Sequence, residues 1–65
     1  MNPVAFIADR ALTLTYEAKQ FPHTSVTVEN WLLLALRWAE RHKCVELANS
    51  LRVNIHELFT LQEEK

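Results

Sequence analysis

Apolar side chains recur at three- and four-residue intervals along most of this chain, the spacing that puts residues on one face of a helix. Val4, Ile7, Ala8, Ala11, Leu14, Thr15 and Ala18 form the first such stripe. Asn2 can cap it, and Pro3 stands where a missing amide costs nothing. The pattern predicts a helix over residues 3–20. Phe6, Leu12 and Tyr16 fall off the stripe, so this helix carries more apolar surface than one face needs. Phe21-Pro22 ends it, because the residue before proline is pushed out of the helical region.

The most apolar run, Trp31 to Ala39, holds both tryptophans. Val28, Trp31, Leu32, Ala35, Trp38 and Ala39 share a face at about 100° per residue. Leu34 and Leu36 flank it, and Leu33 lies nearly opposite. Thr27 is a suitable N-cap, with Val26 and Trp31 at the positions of a hydrophobic staple. Glu29 in the first turn, and Arg41, His42 and Lys43 at the end, suit the helix dipole. The prediction is a central helix over 28–42 whose apolar surface covers well over half its circumference. A surface helix ordinarily shows a stripe of somewhat over 100°.

Past Ala39 the apolar phase turns by nearly half a circle, onto Cys44, Leu47, Ala48 and Leu51. Two arrangements compete. Leu33, Leu36, Glu40, Cys44, Leu47 and Leu51 keep the spacing of a pairing seam on one long helix. Alternatively the chain breaks near His42 to Cys44, which the charges ending there favour. The reading adopted is a helix over 44–52, a turn at Arg52-Val53, and a last helix over 55–62 capped by Asn54. Ile55, Leu58, Phe59 and Gln62 would share its face, with Leu61 beside it, before a solvated end through Lys65.

Sixty-five residues make a single domain, and a core this small stabilises only weakly without staples or self-association. Cys44 is the only cysteine, so no internal disulfide forms, and one free thiol fits a reducing cytoplasm. His42 and Cys44 are poorly spaced for zinc, and no CxxC or HxxxH occurs. The chain has no glycine. Phosphate-binding loops, dinucleotide fingerprints and nucleophile elbows need glycine where the backbone turns tightly. The net charge of -1 gives no overall drive toward nucleic acid. The apolar run is too short to span a bilayer and is interrupted by arginine. No secretory signal pattern opens the sequence.

The segment Leu47-Ala48-Asn49-Ser50-Leu51-Arg52-Val53-Asn54-Ile55-His56-Glu57-Leu58-Phe59 resembles the closing two helices of repressor-type (lambda repressor/Cro-like) helix-turn-helix domains. There an L-A-x-x-L-x-V-x-x-x-E-L-F pattern packs beneath the DNA-reading pair. The resemblance implies two helices about a turn and covers about a fifth of the chain. That family reads DNA with an earlier, polar and basic helix pair. Here the upstream helix is the apolar Trp31–Ala39 run, so no DNA-contacting residue carries over. Aligned instead with the reading pair, the second helix would show His56, Glu57, Thr60, Gln62 and Glu63, with no cation before Lys65. A recognition helix anchors to phosphates with basic side chains.

Catalytic candidates are sparse. His42 and Glu46 are four apart, but two ligands without a third make a poor metal site. Cys44 lies on an apolar stripe, which favours an inert thiol. Glu40 and Glu46 point in different directions and do not make an acid–base pair. Arg37, Arg41, Lys43 and Arg52 form the one charge feature, a contact for nucleic acid or an acidic partner, or else a solvated face balanced by Glu40 and Glu46.

The expectation is an all-α domain of three to four helices around Trp31, Leu34, Trp38 and Leu58, pairing as a homodimer. Its seam would use Phe6, Leu12, Tyr16, Leu33 and Leu36. The expected role is non-enzymatic, without cofactor or metal: a small cytoplasmic regulator that binds itself and a larger protein, of the kind phages and mobile elements encode. The alternative is an accessory DNA-binding or transcription-modulating protein acting through the arginines.

Overall fold

A computed structural model describes residues 2–63, with side chains through Thr60. Three helices are present, α1 (Pro3–Gln20), α2 (Ser25–Arg41) and α3 (Val45–Glu63), with a 3-10 turn over Pro22–Thr24. The described residues contain no strand. At about 1.5 Å per residue each helix is roughly 25–29 Å long. The molecule measures 36 × 20 × 15 Å, too narrow for any of the three helices to lie straight across it. Short connections then make neighbours in sequence antiparallel, an up-down-up bundle.

Helix α1 begins as its sequence predicts. The Val4 amide donates to Asn2 Oδ1 at 3.0 Å, and Pro3 occupies the first turn. Every member of its predicted stripe is at least partly buried, with Ala11, Thr15 and Ala18 fully so. Thr15 satisfies its hydroxyl by donating to the Ala11 carbonyl at 2.8 Å. Phe21 leaves the helical region at φ -126, ψ 78.

Helix α2 starts three residues before the predicted position. Pro22 fixes the φ of the 3-10 turn, and that rotation runs directly into Ser25. Thr27 is therefore inside the helix and is not its cap. Thr24, the residue at the cap position, turns its hydroxyl back to the Phe21 carbonyl, and Ser25 does the same to Pro22. The Val26–Trp31 staple does not form, because Val26 lies in the first turn with 64% of its surface exposed.

Of the two arrangements near His42, the break is the one observed. Lys43 sits at φ 56, donating its amide to the Glu40 carbonyl, while the Cys44 amide reaches the Ala39 carbonyl at 2.8 Å. These are the two bonds of a Schellman termination, built on lysine instead of glycine. Helix α3 restarts at Val45 and runs unbroken to Glu63. The expected turn at Arg52-Val53 is absent, and so is a separate helix starting at Ile55. Asn54 caps nothing; it is a core-facing residue 7% exposed. The reason is phase: Leu47, Leu51, Asn54, Ile55 and Leu58 keep three- and four-residue spacing through the would-be turn. The segment with the repressor-like pattern thus lies within one helix. The side chains of Leu61 and Gln62, and the end through Lys65, lie outside the described residues.

Leu32, Leu51 and Leu58 are the largest fully enclosed side chains, so α2 and α3 supply the centre of the core. Burying each contributes roughly 1.5–3 kcal/mol. Trp31 and Trp38 are half-buried against this core, and the expectation that Leu34 joins it is incorrect: it is 66% exposed. Its position on α2 falls on the side that neither α1 nor α3 covers. Glu40 reaches Arg52 of α3, and Trp31 and Trp38 lie on the opposite flank of α2. Lys19 of α1 bonds Glu57 of α3 at 3.1 Å, closing the third side.

Candidate functional site

Two surface depressions are candidates. The first lies at the α2–α3 connection and is lined by Glu40, Lys43, Cys44, Val45, Ala48 and Arg52, with a volume of about 400 Å³. The Schellman termination places it, because it holds Lys43 outward and starts α3 at Val45. Arg52 is committed within it, bonding Glu40 Oε2 at 2.9 Å and Asn49 Oδ1 at 3.0 Å. The Cys44 thiol is half-buried and points its weak donor at the His42 carbonyl, 3.7 Å away. Thiol, cation and carboxylate are adjacent there without forming a relay.

The second depression, about 270 Å³, lies on the outer side of α2 between Asn30, Leu33, Leu34 and Arg37. Helical spacing extends this strip to Val26 at one end and Arg41 at the other. Neither Arg37 nor Arg41 belongs to an ion pair among the described residues.

The four cations singled out by sequence are thereby divided. Arg37 and Arg41 share the outer strip of α2, Lys43 projects from the connection, and Arg52 is held by Glu40. His42 and Glu46 end up on either side of the helix break. The imidazole of His42 stacks on Trp38, and no group of three metal-ligating side chains occurs among the described residues.

The residues proposed for a dimer seam do not converge on one patch. Leu12 and Tyr16 are a turn apart on one flank of α1, and both are exposed. Phe6 is exposed but about 120° round the helix from Leu12. Leu33 is exposed on α2, whereas Leu36 is partly buried against the core and is not free surface. Val53, absent from the expected seam, is exposed on α3 about one turn before Glu57, as Tyr16 is exposed on α1 about one turn before Lys19. Its signal was present in the sequence, as an apolar residue off the α3 stripe. Phe59 is likewise 48% exposed, although its spacing placed it on a buried face.

Among the described residues no helix is long and apolar enough to cross a membrane. Comparison of the chain with protein-family models, curated proteins and solved structures finds no match.

Proposed function

We propose that this chain is a small non-enzymatic interaction protein that binds a second copy of itself and a larger protein partner. The observation that carries the reading is apolar surface left open on all three helices. Tyr16 and Leu12 on α1, Leu34 on α2 and Val53 on α3 are each more than half exposed. The accessible area is 4860 Å², against roughly 4300 Å² expected for a compact monomer of 7.6 kDa.

The proposed seam draws on the exposed Leu12 and Tyr16 of α1 and Val53 of α3, which lie within about a turn or two of the Lys19–Glu57 pair. Sedimentation equilibrium tests it directly. The expected result is a dimer that Tyr16→Glu converts to monomer while helicity is retained. A chain that stays monomeric at high concentration, with both indoles shielded from acrylamide, would sink the reading. The DNA-binding alternative rests on Arg37 and Arg41, which belong to no ion pair among the described residues. A gel shift on random duplex at low salt decides it, and no retardation removes it.

A further inference from the structure

The outer strip of α2 differs from the α1–α3 seam in its charge. Val26, Leu33 and Leu34 supply apolar surface toward its start, and Arg37 and Arg41 supply positive charge toward its end. Asn30 lies between Val26 and Leu33, and the depression at Asn30, Leu33, Leu34 and Arg37 marks the middle. The strip contains no carboxylate. Glu40 is the nearest acidic group round the helix toward α3, and its carboxylate is bonded to Arg52. Among the described residues, neither Arg37 nor Arg41 has a carboxylate partner.

This asymmetry selects the occupant. A second copy laid antiparallel on the strip would bring leucines together but offer the arginines no anion, because the same residues would face them. A duplex would meet the arginines but leave Leu33 and Leu34 against phosphates. We infer that the outer strip of α2 docks an acidic amphipathic helix of the larger partner. That helix's leucine-type side chains enter the Asn30–Leu34 depression, and its carboxylates pair with Arg37 and Arg41. From Val26 to Arg41 the strip is about four turns long, the reach of a helix-in-groove contact. Guanidinium–carboxylate pairing fixes which way the helix runs.

The inference rests on the interaction-protein reading, but it fails separately. Loss of docking on α2 leaves a dimer through Leu12 and Tyr16 untouched. The probe is a fluorescein-labelled synthetic helix of about four turns, with leucines at three- and four-residue spacing flanked by glutamates. A matched peptide carries glutamine instead of glutamate, and a third carries lysine. Anisotropy titrations use the full chain, with circular dichroism confirming that each variant is folded. The glutamate peptide is expected to bind saturably. Arg37→Glu with Arg41→Glu should weaken it at least about tenfold, and the lysine peptide should recover binding to that double variant. Leu34→Gln should weaken both pairs. Four results overturn the proposal: no saturable binding, equal binding of the glutamine peptide, loss of self-association in Leu34→Gln, or duplex DNA retained by wild type and released by the double variant. The last two would assign the strip to a second copy and to nucleic acid, respectively.

Discussion

The imidazole of His42 lies over the indole of Trp38, ring centroids 4.3 Å apart and planes inclined by 32°. The two residues are one turn apart at the end of α2, and His42 is its C-terminal cap. Because the imidazole is otherwise exposed, the pair is worth about 0.5 kcal/mol, the low end for stacked rings. In a Trp31→Phe background, excited in the indole band alone, Trp38 is the one remaining emitter. Replacing His42 with alanine there should change the intensity of that emission and lower stability by no more than this amount. Identical spectra with and without His42 would show that the rings do not stack in solution.

Lys43 holds a left-handed backbone conformation that a side chain with a β-carbon resists by about 1–2 kcal/mol. Lys43→Gly removes the resistance but adds freedom to the unfolded chain, for a net gain of about 0.5–1 kcal/mol. The urea midpoint should rise with an unchanged slope. Lys43→Val should lower the midpoint, since a β-branched side chain fits that region worst.

The continuity of α3 is open to a simple substitution. If Asn54 capped a helix, Asn54→Ala would cost about 1 kcal/mol. In mid-helix, alanine is the better helix former and no cap is lost, so stability should stay level or rise slightly. Val53→Pro supplies the complement. Within an unbroken helix it should cost about 3 kcal/mol or more, whereas a turn would accept it. Thermal denaturation of both variants distinguishes the two structures.

Leu51→Ala should cost about 2–5 kcal/mol, because Leu51 is fully enclosed between the helices. A domain of this length has only about 3–10 kcal/mol in total, so the variant should lose a large share of its stability, read by circular dichroism as a much lower melting midpoint. Glu40→Gln, one side of a half-exposed ion pair at 2.9 Å, should cost less than about 1 kcal/mol, and less still in high salt. The ordering of these two losses is the prediction.

Much of this bundle was legible in its apolar spacing. The α1 stripe, its Asn2 cap and the buried face of α2 follow from residues within a few turns of one another. The break after Arg41 was also readable, because the phase change and the dipole-compatible charges coincide there. What misled was local chemistry competing with tertiary packing. Asn54 belongs to a residue type that favours caps, so it read as the start of a helix. The decisive fact was that Leu51, Asn54, Ile55 and Leu58 all face α1 and α2. Leu34 misled for the opposite reason. Its hydrophobicity suggested burial, but with only two neighbours α2 must leave one side open, and sequence does not say which. For the candidate surfaces, residue types were visible in Arg37, Arg41 and Tyr16. The capture of Arg52 by Glu40, twelve residues away, depends on the antiparallel register of α2 and α3.

The placement of both tryptophans on α2, half-buried against the shared core, makes the protein its own detector. Light emitted by the indoles reports the packing around the middle helix, while far-ultraviolet dichroism sums over every helix. If that packing loosens before the helices themselves melt, the optical signals will part company on heating. If the bundle collapses in a single step, the two curves will superimpose, and no added label is required to learn which occurs.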